Sequence, residues 1–163
     1  THIGDRGVRT ADQAVEWVEN RLIGNYQRQG HGFWAVERLA DGAVLGMCGL
    51  LHRPGLPQVD VGYALLPEFW GQGYAQEAAS ACLAHGHQVL RLPRILAITA
   101  PGNAASARVL VAIGMRDEGL WQMPGEPAPC RLFASGAPAP GVTAAPGDTM
   151  QAAQEVPDTA TPG

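Results

Sequence analysis

The sequence has 163 residues, 46% of them hydrophobic and 16% charged, which is the balance expected of one soluble globular domain. A formal net charge of −4 excludes the basic surface of a DNA- or RNA-binding protein and favours no acidic membrane surface. No apolar run approaches the roughly 20 residues of a membrane span, and residues 1–20 lack the apolar core of a signal peptide. Three cysteines without a CxxC pair favour buried thiols over a metal or disulfide site, so we predict a reducing, cytoplasmic location and no bound metal.

The predicted elements begin with a helix and a hairpin. Thr10 opens a capping box, and apolar residues at helical spacing predict a helix over 10–28. Two short apolar strands flank the turn signal Asp41-Gly42 and predict an antiparallel pair. The strands are predicted over 33–37, 44–51, 59–66, 95–99, 115–121 and 131–134, and the later helices over 73–90 and 103–113.

Composition divides the chain into a domain and a tail. Residues 1–134 predict an α+β (α/β) domain, with a mixed central sheet flanked by helices. The chain starts at Thr1 with a loop-like stretch, so we expect a fragment whose first strand and helix are missing. Residues 135–163 are rich in Ala, Pro and Gly and lack aromatic and basic residues, which predicts a disordered tail.

A glycine-containing turn, Trp70-Gly71-Gln72-Gly73-Tyr74-Ala75, joins the third strand to the following helix. Unpaired N–H groups and the helix dipole at such a helix start suit phosphate oxygens, although the pattern alone equally fits a purely structural turn. It is no Walker loop, because the sequence contains no Lys, and it lacks the third glycine of a Rossmann turn.

Several stretches together resemble the GNAT superfamily of acetyl-CoA-dependent N-acyltransferases, and most closely the branch of ribosomal-protein N-terminal acetyltransferases. The resemblance covers about Arg9 to Ala134, and its order and spacing are more specific than any one stretch. The matching stretches are Gly32-Phe33-Trp34-Ala35-Val36, Val44-Leu45-Gly46-Met47-Cys48-Gly49-Leu50, Asp60 through Ala75, Asn103-Ala104-Ala105-Ser106 and Gly114-Met115. The resemblance implies a GNAT-like mixed sheet for the fold.

The resemblance also implies acetyl-CoA as co-substrate. Trp70 stands where the family usually has Gln or Arg, a departure shared with the ribosomal-protein branch. The implied pyrophosphate ligands are the backbone N–H groups of Gly71, Gln72, Gly73, Tyr74 and Ala75. The strand end at Ala64, Leu65 and Leu66 is implied to pair with the pantetheine amides. Asn103 is implied to contact the pantetheine, and after Pro101-Gly102 it is equally suited to cap the next helix.

Two residues are candidates for acid–base chemistry. By resemblance, Ser106 lies near the sulfur and protonates the departing CoA thiolate. An ammonium must lose a proton before it attacks a thioester, and Asp60, on the strand leading into the turn, is our candidate base, directly or through a water. Alternatively, Asp60 is an edge or solvent-facing residue at the start of a strand, with no catalytic role. Glu37 and Glu118 are weaker candidates.

The sequence therefore predicts an N-acetyltransferase acting on a primary amine, whether a protein N-terminus, an amino acid or another small molecule. A non-catalytic acyl-CoA-binding module is the main alternative, and a nucleotide-binding domain is a third. We expect no nucleic-acid or membrane partner, and homodimer formation is left open.

Overall fold

The computed structural model describes residues 7–137. In chain order its elements are α1 (Ala11–Trp17), a π-helical segment (Val18–Ile23), α2 (Gly24–Gln29), β1 (Phe33–Glu37), β2 (Val44–Leu51), β3 (Asp60–Leu65), a 3-10 turn (Pro67–Phe69), α3 (Tyr74–Gln88), β4 (Arg94–Thr99), α4 (Ala104–Ala112), β5 (Arg116–Trp121) and β6 (Cys130–Gly136). The predicted α+β class is confirmed. Among residues 7–137, no helix has the length and apolar character needed to span a membrane.

The six strands form one mixed sheet in the order β1-β2-β3-β4-β6-β5. All neighbours pair antiparallel except β3 and β4, which are parallel and connected through α3. The predicted hairpin of β1 with β2 and the closing pair of β5 with β6 are both confirmed. The parallel pair at the centre is the only place where the sheet changes its mode of pairing among the described residues.

The larger core lies between the sheet and the helices α3 and α4. Alternation along the strands directs one set of side chains to this face, and helical spacing directs a stripe of α3 towards them. The core includes Cys48, Leu50, Val61, Ala79, Cys82, Leu83, Ile95, Ala97, Leu110 and Phe133. Burying each large apolar side chain contributes roughly 1.5–3 kcal/mol. A smaller cluster on the opposite face contains Leu56, Leu96, Met123, Leu132 and Ala134.

The first helical region shows the main departure from the predicted elements. The capping box is present, with the Thr10 hydroxyl accepting from Gln13 N, and Gly30 ends the region at a φ of 74°. Between them the helix widens into the π-helical segment, which the spacing of apolar residues did not indicate. A π-helical segment closes its hydrogen bonds over one more residue than an α-helix, and it is too rare for the residue pattern to predict it.

The end of the last strand also differs from the predicted boundary. β6 continues through Ser135 and Gly136, which the composition assigned to the tail. Ser135 pairs with Ile95 in the sheet, and its hydroxyl lies 2.9 Å from His87 Nε2. These contacts with residues distant in sequence hold Ser135 in the strand, although the local composition resembles that of the tail. The remainder of that predicted tail, residues 138–163, lies outside the described residues, as do residues 1–6.

Candidate active site

The central feature of the site is a divergence between the two parallel strands. β2 and β3 are paired from Gly46 opposite Leu65 to Leu51 opposite Asp60. In contrast, β3 and β4 pair only at Asp60 opposite Leu96 within the described part of the chain. Beyond that point the edge of β3 that faces β4 has no neighbouring strand. A ligand can add to such an edge through main-chain hydrogen bonds.

A cavity of about 810 Å³ occupies this divergence. β3 lines it on one flank of the divergence, β4 and the start of α4 line it on the other, and α1, α2 and the ends of β1 and β2 complete the lining. The lining includes Trp17, Leu22, Arg28, Phe33, Met47, Arg53, Gly62, Tyr63, Ala64, Thr99, Asn103, Ser106 and Cys130. The volume and the mixture of apolar walls with a few polar groups are typical of a small-molecule site.

Three of the residues predicted from the sequence meet in this cavity: Ala64, Asn103 and Ser106. Asn103 caps α4, because its Oδ1 accepts from Ser106 N at 3.1 Å. Its Nδ2 group donates to no other group among residues 7–137, although the residue is only 7% exposed. Asn103 therefore keeps two donors for a ligand while its oxygen holds the helix start.

Thr99 is a cavity residue that the sequence analysis missed. It is the last residue of β4, is 8% exposed, and its Oγ1 is buried without a hydrogen-bond partner in the described structure. A buried hydroxyl without a partner costs about 1–3 kcal/mol. Because Oγ1 itself is buried, the hydroxyl lies behind the cavity surface and not on it. The sequence signal that could have identified Thr99 is its place at the end of β4, the strand that follows the glycine turn and α3.

The turn from Gly71 to Ala75 lies beyond the end of β3 and outside the walls of the cavity. Gly71 and Gly73 have φ values of 73° and 88°, a region that favours glycine. No backbone N–H from Gly71 to Ala75 has an acceptor within residues 7–137, and the 15-residue helix α3 starts at Tyr74 without a side-chain cap. The turn therefore presents a row of free donors at a helix N-terminus, which suits a pyrophosphate.

The strand end before the turn is partly engaged by the protein itself. Trp70 Nε1 donates to Leu65 O at 2.8 Å, and Leu66 N donates to Leu45 O at 2.8 Å. Of the three residues predicted to pair with the pantetheine, Ala64 lines the cavity, whereas Leu65 and Leu66 do not. The Trp70 indole thus links the turn to the end of β3.

Asp60 occupies the position where β3 and β4 meet, and it is only 1% exposed. Arg53 Nε and Nη2 donate to its Oδ2 at 3.1 and 2.8 Å, while Oδ1 is buried without a partner. Burial raises the pKa of the Asp60 carboxyl above its usual value, and Arg53 counteracts part of that rise. Asp60 does not line the cavity, but Arg53 does.

Arg38 lies beside the turn, although the sequence analysis gave it no role. Its guanidinium lies 5.5 Å from the Phe69 ring centroid and pairs with Asp41 at 2.6 Å. Hydrogen bonding to Arg38 lowers the pKa of Asp41 to about 2. Of the weaker base candidates, Glu118 pairs with Arg94, and neither it nor Glu37 lines the cavity.

Comparison with known proteins agrees with this geometry. Residues 2–116 match the family described as the acetyltransferase (GNAT) domain. YnaD of Bacillus subtilis (strain 168), named as an uncharacterized N-acetyltransferase, is 41% identical over 116 residues, covering 71% of this chain and 65% of YnaD. YkkB of the same organism is 38% identical over 111 residues, covering 67% of this chain and 64% of YkkB. The chain thus spans just under two thirds of the length of these relatives.

Solved structures show the same fold. An acetyltransferase from Agrobacterium tumefaciens str. C58 superposes with a TM-score of 0.70 at 25% identity, covering 83% of this chain and 77% of the other. A ribosomal-protein-S5-alanine acetyltransferase from Vibrio fischeri gives 0.63 at 22%, covering 78% and 75%. A spermidine N-acetyltransferase from Vibrio cholerae, in complex with CoA and spermine, gives 0.63 at 15%, covering 80% and 78%. The resemblance seen in the sequence is confirmed, and the chain belongs to the GNAT acetyltransferase family.

Proposed function

We propose that this chain transfers an acetyl group from acetyl-CoA to a primary amine. The observation that carries the proposal is the continuity between the open edge of β3 and the free N–H groups of the turn from Gly71 to Ala75. A CoA molecule has an extended amide-bearing arm attached to a pyrophosphate, so one ligand matches both features. The CoA complex of the spermidine N-acetyltransferase, which shares the fold, supports the same choice of co-substrate.

In this proposal the pyrophosphate accepts from the turn, and the pantetheine arm lies along β3 beside Ala64. The Asn103 side-chain amide is the polar group that would face the arm from β4 and α4, across the divergence. Acetyl-CoA would supply an acetyl group activated as a thioester. The amine nitrogen then bonds to the acetyl carbon, the carbon–sulfur bond breaks, and the nitrogen loses a proton.

Ser106 remains our proposed proton donor to the departing CoA thiolate, since it is half-buried and lines the cavity next to Asn103. The role of Asp60 as general base stays a prediction. Its carboxylate is bonded to Arg53 and faces no cavity surface, so a proton would have to reach it through a water or through the arginine. Much of the rate would come from positioning the amine against the thioester.

The acceptor class is a primary amine on a protein N-terminus, an amino acid or another small molecule, and we propose a cytoplasmic location for the reaction. We do not favour a non-catalytic acyl-CoA-binding module, because a relative that is 41% identical is named as an N-acetyltransferase.

The experiment is a release assay for free CoA thiol with acetyl-CoA and a panel of primary amines, combined with calorimetry of acetyl-CoA binding. The expected result is binding of acetyl-CoA and thiol release that depends on the amine. Binding with thiol release that is identical with and without every amine would reject acyl transfer in favour of the binding module. Failure to bind acetyl-CoA would reject the cofactor assignment as well.

A further inference from the structure

The acceptor side of the cavity carries positive charge and no carboxylate. Among the described residues that line it, the arginines are Arg28 and Arg53, the histidine is His52, and none is Lys, Asp or Glu. Arg28 has no ion-pair partner within residues 7–137. The Arg53 charge is offset by Asp60 behind the cavity wall, so Arg28 supplies the unpaired positive charge of the lining, in a chain whose formal net charge is −4. An acceptor with several ammonium groups would be repelled here, whereas one with an anionic group would be attracted.

Arg53 is held in place by a buried partner. Its side chain is 30% exposed, and its Nε and Nη2 both donate to Oδ2 of the fully buried Asp60. A guanidinium has five N–H donors, so three remain for a ligand at the cavity wall. An arginine fixed along one edge by a carboxylate presents its free edge in a defined direction, which favours two-point recognition of a second carboxylate.

The position of Arg53 separates it from the phosphates of the co-substrate. Asp60, to which it is bonded, stands at the start of β3, and the glycine turn follows the end of that strand. Five strand steps of about 3.3 Å place the two ends roughly 16 Å apart. Arg53 is therefore suited to bind an anion that belongs to the acceptor.

The remaining lining describes the body of the acceptor. Trp17, Leu22, Phe33 and Met47 provide apolar surface in the lining of the cavity. Apolar walls with one fixed cationic group are complementary to a small molecule that has an uncharged carbon skeleton and one anionic end.

We propose that the acceptor is a primary amine that also carries a free carboxylate, an amino acid in the broad sense, and that Arg53 binds this carboxylate. The inference rests on the proposed acetyl transfer and narrows its acceptor. Asp60 is then a positioning residue that orients Arg53. A protein N-terminus lacks a free carboxylate near its amine, so the same geometry disfavours it.

The test compares matched acceptors in the thiol-release assay. A panel of amino acids with increasing separation of amine and carboxylate is run beside the corresponding amines without the carboxylate and the corresponding carboxamides. Phenylalanine, phenylalaninamide and phenethylamine form one such set. We expect kcat/KM to be higher for the carboxylate member in at least one set. In Arg53→Met the ratio of kcat/KM between that amino acid and its amine falls about 10- to 100-fold, the range for hydrogen bonds to charged groups.

Arg53→Lys keeps a cation against Asp60 and so protects the fold, but it lacks the planar guanidinium. We therefore expect the ratio of kcat/KM between amino acid and amine to fall less than in Arg53→Met. Arg131→Met is the matched control, because Arg131 is also paired with an aspartate, Asp117, but lies outside the cavity. In this variant the ratio of kcat/KM between amino acid and amine should equal that of the wild type. Equal kcat/KM for amino acids, amides and amines, or a ratio unaffected in both Arg53 variants, would overturn the proposal.

Calorimetry separates this proposal from the proposed function. Phenylalanine and the other amino acids of the panel are titrated into the protein in the presence of CoA. Binding that is lost in Arg53→Met, together with no thiol release from acetyl-CoA, would support the carboxylate site and reject acetyl transfer. Thiol release with amines that lack a carboxylate, together with no amino-acid binding, would reject the carboxylate site alone.

Discussion

The Tyr63 hydroxyl on β3 donates a hydrogen bond to the backbone carbonyl of Ser106 on α4, with the two oxygens 3.2 Å apart. The bond spans the divergence between β3 and β4 and fixes the distance between the two walls of the cavity. Burial raises the pKa of the Tyr63 phenol, so the hydroxyl keeps its proton at neutral pH and remains a donor. The placement of Ser106 near the cleft thus depends on a side chain from the opposite wall.

Tyr63→Phe removes this bond without removing the ring. We expect a loss of about 1 kcal/mol in the free energy of unfolding, the usual value for one hydrogen bond, and a reduced kcat because Ser106 is less well placed. Tyr26→Phe is the matched control, since Tyr26 also donates to a backbone carbonyl, that of Phe33 at 2.9 Å, away from α4. Denaturant unfolding and thiol-release kinetics provide the two measurements. Equal kcat values for both variants would show that the Tyr63 bond has no catalytic consequence.

The glycine turn allows a second paired comparison. Gly73 and Gly119 both have a φ of 88°, and a Cβ added at either would meet no atom within 4 Å. Gly73→Ala and Gly119→Ala should therefore cost the same backbone strain, roughly 1 kcal/mol. Only Gly73→Ala should weaken acetyl-CoA binding, because only that position belongs to the turn. Gly73→Glu adds a charge against the pyrophosphate and should weaken binding at least about 10-fold. Unchanged calorimetric affinity in Gly73→Glu would remove the pyrophosphate from this turn.

The sequence identified the local parts of this site and not their mutual arrangement. The capping box at Thr10 and the turn at Gly73 are signals within a few residues, so the pattern locates them directly. The pairing of Arg53 with Asp60 and the buried hydroxyl of Thr99 depend on where β3 leaves β4, and that divergence has no local signature. Asp60 was recognised by its place before Gly62-Tyr63, but its burial was invisible to a reading of residue types.

Asp60 now has two competing roles that a pH profile separates. If Asp60 is the general base, kcat/KM of the wild type rises with pH through its raised pKa, and Asp60→Asn abolishes that limb with every acceptor. If Asp60 orients Arg53, Asp60→Asn leaves the limb in place and raises KM for acceptors that carry a carboxylate. Asn keeps the shape of the side chain and an oxygen for Arg53. Steady-state kinetics from pH 5 to 9 with an amino acid and its matched amine distinguishes the two.

Gly46 maintains the close approach of β2 to β3 at the end of the cleft. Its φ is 148°, and an added Cβ would run into the Ala64 carbonyl oxygen and lie 2.7 Å from Leu65 Cα. Both neighbours are backbone, which moves little, so Gly46→Ala should lower the free energy of unfolding by roughly 2–3 kcal/mol. Gly42→Ala is the control, because its φ of 71° carries strain without any neighbour within 4 Å. Denaturant melts that showed equal losses for the two variants would mean that the collision is relieved at no cost.

The three cysteines should differ sharply in reactivity. Cys48 and Cys82 are buried with their sulfurs 3.4 Å apart, and the hydrogen bond between them, together with burial, raises the pKa of Cys48. Cys130 is half-buried and lines the cavity, although burial raises its pKa as well. A thiol reagent should therefore modify Cys130 first, at a rate that increases with pH up to 9, and acceptor bound in the cavity should slow the reaction. Cys130→Ser should remove this phase and leave the slow reaction of the buried pair. Mass spectrometry of partly labelled protein identifies the site, and modification of all three cysteines at one common rate would contradict the assigned burial.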